Sequence, residues 1–244
     1  KNYNLFYKNN VECTNNLIKA CKGSFVKNFV FSSTAAVYKS SKNKVTEKSI
    51  IKPKSSYGKT KLKAEKIIIK NLKKLKINYA ILRFFNVVGA SPSKKIGPLK
   101  KNDTLFKNIS TAMFNKKIVI KIYGNNFNTK DGTCIRDYIH VSDLSEIQIK
   151  ILKKIEKTKK SVILNCGYGK GISVRQVVSE FIKISKKDVQ VVVLKKRPAD
   201  IESSIANTSN LKKFIKWKPK HNKLSFLVKS SIEWEKKILN SKLI

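Results

Sequence analysis

The sequence predicts an α/β fold: a doubly wound, parallel sheet with a smaller α/β part interleaved. Two short apolar runs, 29–33 and 77–84, end in polar residues and lack polar alternation, the pattern of parallel strands buried on both faces. Between them, 56–75 places Ala64, Ile67, Ile68, Leu72 and Leu75 on one helical side and lysines on the rest. Strand, helix and strand follow one another in the rhythm of a βαβ crossover. With 244 residues the chain can bury an ample core as one large domain or two small ones.

Taken in order, the chain opens inside a helix over 3–21, beginning with Lys rather than Met, so we expect it to be truncated at its N-terminus. The strand at 29–33 runs into Thr34, and a polar loop over 39–55 leads to the helix at 56–75. The strand at 77–84 ends in Arg83, Phe84, Phe85 and Asn86. After Gly89 the rhythm changes: a Pro/Gly/Ser/Lys loop over 90–102, a helix over 104–115, a strand over 118–123 and a turn-rich stretch over 124–132. A strand at 135–141 precedes a helix to about 155, capped by Ser142 and Asp143. Then come a strand at 162–165, a capped helix at 173–184, a strand at 189–194 and a loop over 195–207. Helices at 209–215 and 224–239 close the sequence.

Tyr57 and Lys61, spaced i and i+4, share one face of the 56–75 helix. Thr34 ends a strand 23 positions upstream of Tyr57. A phenol, an ammonium and a small hydroxyl around one carbon are equipment for taking a proton from an alcohol as a hydride leaves it. The pair alone is common on helix surfaces; the hydroxyl-ended strand at this distance makes it specific.

A net charge of +39 first suggests nucleic acid or an anionic membrane as partner. The kind of charge argues otherwise. Of 54 basic residues only Arg83, Arg136, Arg175 and Arg197 are arginine, the residue that reads phosphates and base edges with its planar fork. Lysines spread along the whole chain, with abundant Ile and Asn, read as codon bias, and the polyanion binding they bring is non-specific and salt-sensitive. Cys13, Cys21, Cys134 and Cys166 have neither CxxC spacing nor a nearby His, so no metal site and no disulfide framework is expected. His140 reads as a structural strand-end residue and His221 as solvated. No apolar stretch approaches a membrane span and no signal peptide is visible, so a cytoplasmic location is expected.

Several segments resemble the extended short-chain dehydrogenase/reductase family, the NAD-dependent epimerases and dehydratases. They are Asn9-Asn10-Val11, the Phe31 to Tyr38 run, Ser56 to Lys61, Leu82 to Ala90, Asp131 to Asp143 (DGTCIRDYIHVSD) and Arg197-Pro198-Ala199-Asp200. They run the length of the chain in the family's order, and DGTCIRDYIHVSD is the most specific. The resemblance implies a Rossmann-type sheet lacking its N-terminal strands. It also implies that the Gly-rich turn holding the NAD pyrophosphate lies outside this sequence. Residues 1–87, with a return segment about 136–166, would form the second half of the NAD domain; 88–135 and 167–244 would form the UDP-sugar domain. A homodimer through a helix bundle that includes the Tyr57 helix is implied for the full-length protein.

The activity implied is interconversion of UDP-glucose and UDP-galactose by oxidation and re-reduction at sugar C4, with NAD as cofactor. Tyr57 would be the base, Lys61 its electrostatic support and a ribose ligand, and Thr34 a hydroxyl at the 4-oxygen or a strand-end group bonding backbone. Lowering a phenol by ~3 units takes about 4 kcal/mol, with Lys61 and the nicotinamide charge as sources. Asn9 and Phe85 would stand on the cofactor side. Asn86, Arg136 and Arg197 would meet the diphosphate and Asp200 a ribose. Tyr123 is either a uracil stack or a core aromatic, Arg83 a packing residue or a ligand, and Thr104 and Leu105 are looser substrate candidates. Ser204, small at the position facing sugar C2, implies that the N-acetylated pair is accepted too. Ala35-Ala36 after Thr34 cannot move protons, which disfavours a 4,6-dehydratase. A UDP-uronate epimerase or decarboxylase, or an inactive fragment that only binds polyanions, are the other readings.

Overall fold

The computed structural model describes residues 3–99, 104–198 and 200–241. The predicted opening helix is continuous in direction but built in three pieces: α1 (Tyr3–Tyr7), a π-helical turn (Lys8–Glu12) and α2 (Cys13–Cys21). Strand β1 (Asn28–Thr34), helix α3 (Ser56–Lys74) and strand β2 (Asn78–Phe84) form the expected βαβ unit, β1 pairing parallel with β2 from Asn28↔Asn78 to Thr34↔Phe84. Short β3 (Asn86–Val88) continues the chain beyond β2.

The second half contains α4 (Leu105–Ala112), β4 (Val119–Tyr123), β5 (Ile135–His140), α5 (Val141–Thr158), β6 (Val162–Cys166), β7 (Gly171–Ser173) and α6 (Val174–Ser185). It closes with β8 (Gln190–Leu194), β9 (Ser203–Ser204), α7 (Ser209–Ile215) and α8 (Leu224–Asn240). The tail of the loop predicted over 90–102 lies outside the described residues.

Three small sheets organise these elements. The first has the order β1-β2-β6, all parallel. The second has β5 between parallel β3 and antiparallel β7, with β9 also on β5; the third pairs β4 with β8. Within 136–166, β6 joins the first sheet, whereas β5 belongs to the second.

The apolar run of β2 has the predicted cause. Ile81 packs with Ile18, Ile68 and Leu72 from α2 and α3 on one face, while Ala80 and Leu82 pack with Ile147, Ile151 and Ile155 of α5 on the other. Alternate side chains of a strand point to opposite faces, so a strand covered by helices on both sides must be apolar throughout. Burial of each Ile or Leu there contributes about 1.5–3 kcal/mol. A further core joins α4, α6 and α8 around Phe106, Phe181 and Leu227.

Two caps deserve comparison. Ser173 and Gln176 form the capping box that starts α6. The cap of α5 differs from expectation: His140, not Ser142 or Asp143, precedes the helix, and its Nδ1 accepts from Ser142 N at 3.2 Å. Asp143 instead turns its carboxylate to the Tyr168 hydroxyl and to the backbone N–H groups of Lys220 and His221. His221 is likewise not simply solvated; it stacks on Phe226 at 4.6 Å and lies 4.9 Å from His140.

Lysine also stands where glycine usually ends a helix. Lys159, Lys186 and Lys216 follow α5, α6 and α7 with φ of 54°, 53° and 48°. The left-handed conformation costs a side-chain-bearing residue roughly 1–2 kcal/mol, and glycine gives back part of that through unfolded-state entropy. Lys→Gly at each position is expected to stabilise by about 0.5–1 kcal/mol, read as a higher urea midpoint with an unchanged slope. Among the described residues no helix is long and apolar enough to cross a membrane.

Candidate active site

The site begins where β1 ends. Thr34 leaves the strand extended, and its Oγ1 accepts from Ala36 N at 3.2 Å, capping the single 3₁₀ turn Ala35–Val37. Helix α3 starts directly against that turn. Ser55 caps it by accepting from Gly58 N at 3.1 Å. A Cβ on Gly58 would lie 2.4 Å from the Ala36 carbonyl oxygen, so glycine is what lets the first turn of α3 rest on the segment after Thr34. This contact brings the Tyr57 phenol near the Thr34 hydroxyl.

Tyr57 is 39% exposed, with its ring 5.7 Å from that of Phe6. Burial pushes its pKa up, and the Thr34 hydrogen bond only partly offsets this. The expected lowering by Lys61 is absent from the chain's own geometry. Lys61 Nζ lies over the Phe31 ring, 4.1 Å from its centroid, held by a cation–π contact. That partly dehydrated seat lowers the Lys61 pKa to about 8, against the opposing pull of Glu65.

Thr34 and Tyr57 stand at one end of a cleft of about 950 Å³. Phe85 and Asn86, following β2, line it next. Thr104 and Leu105 enter from the start of α4. Thr34 pairs with Phe84, and Asn86 two residues on pairs with Tyr138, so the wall runs from Thr34 across to Arg136 on β5, where Tyr123, Arg197 and Asp200 also line it. There Arg136 and Asp200 approach at 3.9 Å, and the Arg197 guanidinium lies over the Tyr123 ring at 3.9 Å. Tyr123 is thus no plain core aromatic; it carries an arginine on its face. One end of the cleft offers proton-handling hydroxyls, the other cations and an aromatic surface.

Four residues named from the sequence are not part of this wall: Asn9, Lys61, Ser204 and Arg83. Asn9 is exposed in the π-helical turn, where its neighbour Asn10 donates to Thr60 Oγ1 at 3.0 Å. Lys61 sits behind Tyr57 on Phe31. Ser204 lies in β9, opposite Arg136 in the β5 register. Arg83 is not a ligand at all: it is 2% exposed and bonded to Glu65. Conversely, Cys134, Tyr138 and Lys121 line the cleft without having been singled out. Strand periodicity would have found Tyr138 and Lys121, since 136 and 138 on β5 and 121 and 123 on β4 share a face; Cys134 directly precedes β5.

Comparison with known proteins agrees with this arrangement. Residues 1–167 match the NAD dependent epimerase/dehydratase family. The chain is 34% identical over 238 residues to the UDP-glucose 4-epimerase of Azospirillum brasilense, covering 97% of this chain and 68% of that protein. The structure superposes with a TM-score of 0.91 and 28% identity on a UDP-glucose-4-epimerase from Stenotrophomonas maltophila with bound NAD and formylated UDP-arabinopyranose, covering 96% of this chain and 71% of that one. The UDP-Glc/GlcNAc 4-epimerase of Campylobacter jejuni superposes at 0.79 with 35% identity, covering 95% and 71%. A hydroxyl-ended strand meeting a Tyr-x-x-x-Lys helix, within a sequence matched along nearly its whole length, places the chain in the NAD dependent epimerase/dehydratase family.

Proposed function

We propose that this chain carries the catalytic and sugar-nucleotide part of a UDP-glucose 4-epimerase, interconverting UDP-glucose and UDP-galactose. The observation that carries the reading is the single cleft with the Thr34–Tyr57 hydroxyl pair at one end and Arg136, Asp200, Arg197 and Tyr123 at the other. Its two ends match the two ends of a UDP-sugar. The guanidinium groups suit a diphosphate, and the Tyr123 face suits a nucleobase.

The residues present fit the nicotinamide-ribose end of NAD. A phenol and an ammonium, donors suited to a ribose diol, stand half-open to solvent along β1, which among the described residues pairs with β2 alone. Tyr57 and Lys61 would hold it, with Phe85 beside them; Asn9 remains a cofactor-side candidate. When bound, NAD supplies the hydride acceptor and donor and, in oxidised form, a positive charge. Tyr57 then takes the proton of the sugar 4-hydroxyl and later returns it at the same oxygen. Thr34 holds that oxygen by hydrogen bonding, and Lys61 would support the phenolate by leaving its seat over Phe31. Asn86 and the two arginines anchor the diphosphate, leaving the sugar room to present either face.

The reading includes 1–87 with about 136–166 as the cofactor side, 88–135 and 167–244 as the sugar-nucleotide side, a homodimer through the α3 layer, and a cytoplasmic location. Conversion of UDP-galactose to UDP-glucose by the NAD-loaded protein tests it. No conversion, together with heparin binding that vanishes by moderate salt, would instead support an inactive polyanion binder.

Ser204, outside the cleft wall but in register with Arg136 on β5, extends the reading to the sugar's C2 group. UDP-N-acetylgalactosamine is expected to be turned over at a rate comparable to UDP-galactose. Ser204→Tyr is expected to lower turnover of the N-acetyl sugar by about 10–200-fold while sparing UDP-galactose. Turnover of UDP-galactose with none of UDP-N-acetylgalactosamine by the unaltered protein would refute the assignment.

A further inference from the structure

Behind the Thr34–Tyr57 pair lies a buried polar cluster that the proton transfer at O4 leaves unused. Glu65 is 1% exposed and follows Lys61 by one helical turn and Tyr57 by two, so the three share a face of α3. Its carboxylate accepts from the Ser33 hydroxyl, from Arg83 Nε at 3.1 Å and from Arg83 NH2 at 2.7 Å. Arg83 donates onward to the Tyr38 hydroxyl at 2.9 Å, which donates to Asn165 Oδ1 at 2.7 Å. The charged and titratable groups around Glu65 are Lys61 on its own helix and Arg83 from β2, with Tyr38 and Glu47 beyond Arg83.

A buried ion pair is an uneconomical way to hold a helix on a sheet. Both ions must lose their water, and apolar residues of similar volume often hold as well or better. The placement of the partners suggests what the carboxylate gives in return. Ser33 directly precedes Thr34, Arg83 ends the strand that leads to Phe85 and Asn86, and Lys61 rides one turn away on Phe31.

We propose that Glu65 is a positioning residue for the reaction: bonded to Ser33 and Arg83, its carboxylate fixes the Thr34 strand end, and its charge, one turn of α3 from Lys61, keeps that side chain an ammonium beside Tyr57. The proposal rests on the C4-epimerase reading of the cleft, but its test does not need turnover. Without the carboxylate, Lys61 keeps its dehydrated seat and loses the charge that opposes its deprotonation.

The experiment reads Lys61 directly. The folded chain is labelled briefly with a limiting acylating reagent at pH values from about 6 to 11, around the lysine range. Acylation of Lys61, and of exposed Lys63 as reference, is quantified by peptide mass spectrometry. Glu65→Gln is expected to move the Lys61 midpoint down by about one pH unit without moving Lys63, and Glu65→Asp to restore most of it. In the NAD-loaded protein the alkaline limb of kcat should move the same way. An unchanged Lys61 midpoint in a folded Gln variant overturns the proposal, whatever the turnover. Should circular dichroism find the Gln variant unfolded, the Asp variant decides: a small downward shift supports the proposal, and a midpoint equal to the parent's overturns it. Failure of the C4 conversion assay leaves this readout intact, so the two readings fail separately.

Discussion

Tyr57→Phe is expected to lower turnover of UDP-galactose by about 10²–10⁴-fold, the range for removing a positioned acid–base group. The substitution deletes one oxygen and keeps the ring that packs at 5.7 Å from Phe6, so the start of α3 has no reason to move. Binding of UDP, measured by calorimetry, should stay within about twofold, because Arg136, Asp200, Arg197 and Tyr123 occupy the opposite end of the cleft. The loss should therefore sit in kcat. Burial raises the Tyr57 pKa in the chain itself, so the acid limb of the rate should rise with pH until the phenol can ionise beside bound cofactor. Turnover of the Phe variant within about threefold of the parent would remove Tyr57 from the proton transfer.

The second large effect is on stability. Arg83→Met is expected to cost about 3–5 kcal/mol, a large share of a typical total of about 5–15 kcal/mol. Among the described residues it leaves the Glu65 carboxylate, 1% exposed, with only the Ser33 hydroxyl as hydrogen-bond partner, and takes the Arg83 donor from the Tyr38 hydroxyl. The pair's own net value is much smaller than the cost of breaking it, since the attraction mostly offsets two desolvation penalties. The double variant Arg83→Met/Glu65→Leu should accordingly recover much of the loss. Urea unfolding of the parent, both single variants and the double variant measures the coupling. A single-variant loss under about 1 kcal/mol would mean that water reaches the carboxylate.

Much of the architecture was legible because its causes are local. The apolar run of β2 declared a strand covered on both faces, and Ala80, Ile81 and Leu82 divide between two cores as that requires. The capped helix expected over 173–184 starts with a Ser173–Gln176 capping box. Residue preference failed at α5, where an imidazole nitrogen accepts the bond expected of a hydroxyl or carboxylate. The cleft's hydroxyls, arginines and Asp200 were named from the sequence, while Tyr138 was missed although strand periodicity places it on the face of Arg136. The pairing of Arg83 with Glu65 had no local signal, because the two are 18 positions apart and meet only once β2 lies against α3.

Sequence alone determined which side chains share a face. Spacing by four put Tyr57, Lys61 and Glu65 in line on α3, and a hydroxyl at a strand end marked where they would act. Tertiary structure alone decided where the long side chains go. Lys61 could have turned toward the phenol, but Phe31 on β1 offered its ring; Arg83 could have reached a ligand, but Glu65 lay within bonding distance. Helical periodicity fixes the direction of Cβ, whereas the flexible torsions beyond it settle against neighbours that only the folded chain supplies.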